Sequence, residues 1–280
     1  MKRIILTKHI GFCSGVRRAV ELAFKAAKEE KIYSLGPLIH NPQEVKRLEK
    51  AGVKVINSLG NLKRGTLIVR SHGLPEKTIR AAKRHGLKII DATCPLVKKV
   101  QNIARQLKRE GYLVVMVGDR YHPEVKAVKE RAGRKFMVIS GEKKPLINFP
   151  RGKIGILAQT TQSEDNFLAA VSQLKKAAQD IKVFNTICRE TARRQKGLLD
   201  LVREVNVILV IGGFNSANTR RLVELSREAK MRTYYLESVN DLKKVNLKGV
   251  KKIGIITGAS TPDWIVEELV KELNAMPRKS

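Results

Sequence analysis

Apolar residues along the chain fall into short unbroken runs separated by longer stretches of helical spacing. Ile4-Ile5-Leu6, Leu67-Ile68-Val69, Leu113-Val114-Val115-Met116-Val117, Val207-Ile208-Leu209-Val210-Ile211 and Ile253-Gly254-Ile255-Ile256 are runs of strand length, apolar at consecutive positions. Such runs suit strands buried on both faces. Between them, Val16, Ala19, Val20, Ala23 and Ala27 recur at helical spacing, as do Val97, Val100, Ile103, Ala104 and Leu107. The second set predicts a helix running to about Arg109. Strands alternating with helices at this pitch mean βαβ units and parallel sheets, an α/β fold.

The polar residues gather on the turns. Leu87-Lys88-Ile89-Ile90 leads into Asp91-Ala92-Thr93-Cys94-Pro95, so Cys94 sits between a strand end and a helix start, with Pro95 in the first helical turn. Gly11-Phe12-Cys13-Ser14-Gly15 and Thr186-Ile187-Cys188-Arg189-Glu190 repeat that placement. A second polar turn follows each cysteine. Cys13 to His40, Cys94 to His122 and Cys188 to Ser216 are separations of 27, 28 and 28 residues. A third turn carries His72, Thr160 and Ser260, at 59, 66 and 72 residues from the same cysteines, a drift that loop insertions explain. A period of about 90 residues is too long for a solenoid. It predicts three related α/β units, 1–93, 94–187 and 188–280, with their ligand-bearing turns converging on one cavity.

Composition narrows the setting. The chain has 280 residues and a formal net charge of +30. The basic excess is spread through all three units rather than held in a tail, so it is a cationic surface or one that steers an acidic partner. Aromatics make up only 5% and do not interleave with a basic stripe, which argues against a nucleic-acid-binding protein. No apolar run approaches the roughly 18 residues of a membrane span. The N-terminal apolar run is too short for a signal peptide, so a cytoplasmic protein is expected.

Three cysteines, an odd number, do not make a disulfide scaffold. At matched turns in a reducing compartment they read as metal ligands. Structural zinc favours close C-x2-C pairs, and none is present. One cysteine per unit suits an iron–sulfur cluster with an open iron; zinc with three thiolates and a water, or three inert buried thiols, are the alternatives. His40, His72, His122, Thr160, Ser216, Asn218 and Ser260, with nearby helix N-termini, supply the donors a phosphate or diphosphate needs. Arg70 beside His72 is a further anion contact or a structural residue. Glu124 opens a helix two residues after His122. It is either an acid favouring the helix dipole or a proton donor whose pKa a dry cavity raises. His9 and His85 read as surface residues.

Gly11-Phe12-Cys13-Ser14-Gly15-Val16, His40-Asn41, Ser71-His72-Gly73, Asp91-Ala92-Thr93-Cys94-Pro95, His122-Pro123-Glu124-Val125, Gln159-Thr160-Thr161, Asn215-Ser216-Ala217-Asn218 and Gly258-Ala259-Ser260 together resemble the LytB-type 4-hydroxy-3-methylbut-2-enyl diphosphate reductases. The motifs span the chain in order. The resemblance implies a trefoil of three α/β domains around a 4Fe–4S cluster held by Cys13, Cys94 and Cys188. It implies reductive dehydroxylation giving isopentenyl and dimethylallyl diphosphates, the last step of the non-mevalonate isoprenoid pathway. By position, His40, His72, Ser216, Asn218 and Ser260 would hold the diphosphate, with His122 in the same shell. Thr160 and Glu124 would lie near the substrate hydroxyl, with Glu124 feeding the proton path. Ala217 stands where other members carry serine, leaving only its backbone N–H. Arg189-Glu190 is unusually charged for its place, while Thr191 fits a supporting role behind the cysteine. No nicotinamide or flavin fingerprint is present, so electrons are expected from a ferredoxin or flavodoxin, and the protein is expected to be a monomer or weak homodimer. A quinolinate synthase-like cluster enzyme is the rival reading, expected to lack these His-Pro-Glu and Asn-Ser-Ala-Asn motifs.

Overall fold

Among the described residues every strand pairing is parallel, as continuous apolar strands joined by helices require. The structure, a computed structural model, describes residues 2–28, 30–140, 152–176 and 178–276. In chain order the elements are β1 (Arg3–Leu6), α1 (Ser14–Ala27), β2 (Ile32–Leu35), α2 (Pro42–Lys50), β3 (Val53–Ile56), β4 (Thr66–Val69), α3 (Glu76–Arg84) and β5 (Lys88–Asp91). Then come α4 (Pro95–Arg109), β6 (Leu113–Val117), α5 (Pro123–Ala132), β7 (Phe136–Ile139), β8 (Lys153–Ala158), α6 (Glu164–Lys175) and β9 (Asp180–Phe184). The last stretch holds α7 (Arg189–Val202), β10 (Val207–Ile211), α8 (Ala217–Glu228), β11 (Thr233–Leu236), β12 (Lys252–Thr257) and α9 (Asp263–Ala275). None of the described helices is long and apolar enough to cross a membrane.

The described residues form three four-stranded sheets, in the orders β3-β2-β4-β5, β7-β6-β8-β9 and β11-β10-β12-β1. The pattern is the same each time: an outer strand, two central strands, and the strand that leads to a cysteine. In each sheet the winding reverses between the two central strands, where an open α/β sheet presents its ligand-binding crevice. The turns after β2 and β4 carry His40 and His72, those after β6 and β8 carry His122 and Thr160, and those after β10 and β12 carry Ser216 and Ser260. One element departs from chain order. β1 pairs with β12, Arg3 opposite Lys252 through Leu6 opposite Ile255, so the strand leading to Cys13 completes the sheet of the last unit.

The chain separates into two bodies. One comprises Met1–Arg17, Ile39–Arg47 and Arg189–Ser280, and the other Arg18–Leu38 and Leu48–Cys188. In the first, Val207, Leu209 and Ile211 pack with Ile265 and Leu269 of α9. The intervening Ile208 and Val210 pack on the other face with Leu198 and Leu201 of α7 and Leu222 of α8. In the second body, Val114 and Met116 meet Val100, Ala104 and Leu107 of α4 and Val125 and Val128 of α5. Val115 and Val117 face Phe167, Ala170 and Leu174 of α6. Alternate residues of one strand thus feed two cores, which is why these strands are apolar without interruption.

Two glycines mark where a helix lies closest to a sheet. A Cβ on Gly155 in β8 would stand 2.5 Å from Leu107 Cδ1, and one on Gly254 in β12 would stand 2.7 Å from Leu201 Cδ2. The two leucines are buried in equivalent places on α4 and α7. Gly155→Ala is therefore expected to destabilise the protein by about 1–2 kcal/mol through overpacking. Adding Leu107→Val should recover part of that loss. Urea unfolding of the single and double variants measures both, and additive losses would show that the two side chains do not compete for the same space.

Candidate active site

All three cysteines occupy the residue just before a helix: Cys13 before α1, Cys94 before α4 and Cys188 before α7. The carbonyls of Cys13 and Cys94 accept the first helical hydrogen bonds, from Arg17 N–H at 2.9 Å and Lys98 N–H at 3.0 Å. All three are half-buried and none is in a disulfide. The Asp91-Ala92-Thr93-Cys94 turn is shaped by Asp91, whose carboxylate accepts from Thr93 N–H at 3.0 Å and pairs with Lys98 at 2.7 Å. Partial burial pushes the Asp91 carboxyl up, but these hydrogen bonds outweigh it and hold the pKa below its ordinary value.

In the second body, Cys94 and Cys188 share one electrostatic neighbourhood with Glu124. Burial pushes the Cys94 thiol up. The N–H groups of Leu96 and Val97 pull it down, and the nearby Cys188 and Glu124 push it up further. Cys188 is fixed by its own N–H to the Thr160 carbonyl at 2.9 Å. Glu124 is 1% exposed. Among the described residues its two carboxyl oxygens accept from Thr160 alone, Oε1 from the N–H at 2.8 Å and Oε2 from the hydroxyl at 2.7 Å. Desolvation raises its pKa to about 7, against the lowering effect of those two bonds. His122 caps α5, its Nδ1 accepting from Glu124 N–H at 3.2 Å, so a neutral ring carries its proton on Nε2. The His72 ring stands edge-on to it, centroids 5.2 Å apart. Unit by unit, then, the second body gathers His72, His122, Glu124, Thr160, Cys94 and Cys188.

The first body gathers the remainder. Cys13 N–H donates to the Ala259 carbonyl at 3.0 Å, and Ser260 Oγ donates to the His40 carbonyl at 3.1 Å. Ser216 caps α8 by accepting Thr219 N–H at 3.3 Å, which puts Ala217 and Asn218 in the helix's first turn. Asn218 is buried, and neither its amide oxygen nor its amide nitrogen has a hydrogen-bond partner among the described residues. An unpaired buried amide costs about 1–3 kcal/mol, which a polar ligand at this helix N-terminus would offset. Of the other sequence expectations, His9 is half-buried 3.9 Å from Glu190, which also pairs with Arg193 at 3.0 Å. Thr191 is buried. Arg70 Nε is buried without a partner among the described residues.

Sequence reasoning missed Arg194, 1% exposed. Its Nη1 donates to the His9 carbonyl at 2.8 Å and to the Thr257 carbonyl and hydroxyl at 3.1 and 3.0 Å; Nη2 donates to the Gly11 carbonyl at 2.8 Å. It splints the segment leading to Cys13 onto the end of β12. The available signal was position: Thr191, Arg194, Leu198 and Leu201 lie on one helix face, and a charge on a core-facing stripe is informative. Also missed was Thr186, which holds the approach to Cys188 by accepting Ala158 N–H at 2.8 Å and donating to the Ala158 carbonyl at 2.5 Å.

The profile of the LytB protein family matches residues 4–274, nearly the whole chain. The chain belongs to the LytB family. Relatives named 4-hydroxy-3-methylbut-2-enyl diphosphate reductase include one from Pelobacter propionicus, 46% identical over 99% of this chain and all of its own length. A second, from Geobacter metallireducens, is 46% identical over 96% of each chain. Among solved LytB structures, one described as (E)-4-hydroxy-3-methyl-but-2-enyl diphosphate reductase, the terminal enzyme of the non-mevalonate pathway, is 43% identical, with a TM-score of 0.69 over 99% of this chain and all of that one. The E-1-hydroxy-2-methyl-but-2-enyl-4-diphosphate reductase from Plasmodium falciparum is 31% identical, with a TM-score of 0.90 over 99% of this chain and 89% of that one. The LytB match accounts for the three parallel sheets and for the motif order along the chain.

Because the Glu124 pKa lies above its unfolded value, the native protein retains a proton between about pH 4.5 and 7 that the unfolded chain releases. Its stability contribution therefore falls as pH rises through that window, by up to about 3 kcal/mol. Glu124→Gln should abolish that component. Urea unfolding of the metal-free wild type and variant at pH 5 and pH 8 gives the comparison, and equal pH dependence in the two would mean Glu124 ionises freely. Arg194→Gln, which strands several buried acceptors, should cost about 2–4 kcal/mol in the same assay.

Proposed function

We propose that this chain carries out the reaction for which its relatives are named, the reduction of (E)-4-hydroxy-3-methylbut-2-enyl diphosphate to isopentenyl and dimethylallyl diphosphates and water. The observation that carries the reading is Glu124: a carboxyl buried against Thr160, with no cation bonded to it among the described residues, and near two thiols. A protonated acid beside soft metal ligands is what the departure of an allylic hydroxyl requires.

Cys13, Cys94 and Cys188 are assigned as ligands of a 4Fe–4S cluster. The donor set fits it. Each thiol sits at a helix N-terminus, where a thiolate is favoured. The neighbouring Cys188 pushes the Cys94 thiol up, a repulsion that a bound cation reverses. When bound, such a cluster supplies two electrons in single steps and leaves one iron without a protein ligand.

The overall reaction takes up two electrons and two protons and releases one water. Glu124 supplies a proton toward the hydroxyl oxygen, and the Thr160 hydroxyl and N–H fix its carboxyl in one orientation. The second proton ends on carbon. Because the electrons are shared over a three-carbon allyl unit, protonation at either end gives one of the two products. His40, His72, Ser216, Asn218 and Ser260 bind the diphosphate, with Ala217 contributing its backbone N–H at the start of α8 and His122 Nε2–H a further donor. Asn218 then gains the partners it lacks. A ferredoxin or flavodoxin supplies the electrons, and the reaction belongs in the cytoplasm. The three sequence units, 1–93, 94–187 and 188–280, each contribute one cysteine and two of the polar turns, on a chain that acts as a monomer or weak homodimer.

Anaerobic reconstitution with iron and sulfide, followed by Mössbauer spectroscopy, should yield four irons per chain and substrate-dependent oxidation of a reduced viologen. Cys94→Ser should lose both. Glu124→Gln should keep the cluster and lose about 10²–10⁴-fold in kcat. Asn218→Ala should raise KM for the diphosphate about 10–100-fold, the equivalent of one hydrogen bond to a charged group. Stoichiometric zinc with no viologen oxidation would overturn the assignment.

A further inference from the structure

The first body carries a cleft of about 580 Å³ between the exit of β1, Ile5 to His9, and one face of α7. Its exposed cations are Lys8, Lys196, Arg203 and Arg193, the last paired with Glu190 at 3.0 Å, against two lining carboxylates, Asp200 and Glu204. Leu6, 45% exposed, adds an apolar spot at the rim. Arg193, Lys196 and Arg203 recur at intervals of three and seven residues, so they share a face of α7 and the turn that follows it.

Two features single this cleft out from a generally cationic surface. The first is its floor. Arg194 lines the cleft and is bonded to the His9 and Gly11 carbonyls. Gly11 lies two residues from Cys13, a span of at most about 7 Å. The cleft is thus backed directly by the segment that delivers one of the proposed cluster ligands. The second is Gly197, in the middle of α7 and lining the cleft. Glycine there costs about 1 kcal/mol relative to alanine. Nothing steric demands it, because a Cβ would stand 3.8 Å from Thr7, an ordinary contact. What glycine provides is open space on the cleft wall.

We propose that this cleft is the docking surface for an acidic one-electron carrier protein, which is oxidised by one electron in each of two encounters per turnover. The proposal rests on the reductase reading, since it supplies that reaction's electrons. Charge complementarity sets the encounter rate and its salt dependence, the Leu6 rim gives the complex an apolar anchor, and the Arg194 splint keeps the Cys13 segment rigid beneath it.

The test uses the reconstituted holoenzyme with a reduced acidic plant-type ferredoxin and, separately, reduced viologen as donor. Lys196→Glu/Arg203→Glu should raise KM for ferredoxin at least tenfold and flatten its dependence on salt. Viologen-driven kcat should be unchanged, which also shows that the variant is folded. Gly197→Leu, which fills the cleft without altering charge, should weaken ferredoxin binding by calorimetry while leaving viologen turnover intact. Lys83→Glu/Arg84→Glu on α3 is the control for general surface charge and should change neither. An unchanged ferredoxin KM in the charge-reversed variant, an equal loss in the control, or ferredoxin displaced from the cleft variant and wild type alike by short RNA would overturn the proposal. If the wild type fails with viologen, the reductase reading itself is at fault. Calorimetric binding of oxidised ferredoxin to wild type and variants still decides the cleft.

Discussion

A parallel sheet that winds in both directions must change direction somewhere, and the two strands flanking that point end in loops that part from one another. Three sheets in this chain share one strand order, and in each the two central strands end at polar turns. The outer strand beyond them leads to a cysteine. Ligand chemistry is therefore confined to strand ends by topology, while the strands themselves, buried on both faces, are restricted to apolar residues. Helix N-termini arrive at the same edge because each turn feeds directly into a helix. Polar side chains, helix dipoles and thiols share one edge of each sheet for a single geometric reason.

Much of this was legible from sequence because burial on two faces writes itself as unbroken apolar runs, and because the repeat compares three versions of each turn. Cys94 before a helix starting at Pro95 and ending at Arg109 emerged as expected. The outer strands β3, β7 and β11 did not. All three are edge-placed and partly exposed; β3, Val53-Lys54-Val55-Ile56, and β11, Thr233-Tyr234-Tyr235-Leu236, break the apolar run that marks a central strand, whereas β7, Phe136-Met137-Val138-Ile139, is apolar throughout and carried a signal that went unread. Nor could chain order reveal that β1 completes the sheet of β10, β11 and β12, since pairing partners depend on tertiary closure. The candidate site residues were read as polar exceptions after apolar strands. Arg194 escaped because the carbonyls of His9, Gly11 and Thr257 and the Thr257 hydroxyl, to which it donates, leave no motif in the sequence.

Two glutamates show what sequence position alone leaves undecided. Glu44 follows His40-Asn41-Pro42-Gln43 in the first turn of α2, and Glu124 follows His122-Pro123 in the first turn of α5. Both are buried. Both donate their own N–H to a capping side chain, Glu44 to Asn41 Oδ1 at 2.9 Å and Glu124 to His122 Nδ1 at 3.2 Å. Their carboxyls are treated differently. Glu44 Oε2 accepts from the Arg47 guanidinium at 2.9 Å and from Trp264 Nε1 at 3.0 Å. A cation and an indole N–H satisfy its charge, so it serves as a clamp holding the His40 segment to α9. Among the described residues Glu124 receives only the two dipoles of Thr160. Dipoles offset part of the desolvation of a carboxylate but do not replace a counter-charge, so the neutral acid remains accessible near physiological pH. The same local motif yields a carboxyl clamped by an arginine and an indole in one unit and a carboxyl held by Thr160 in the next. The difference is made by one arginine three residues along the helix, where α5 places Ala127 instead.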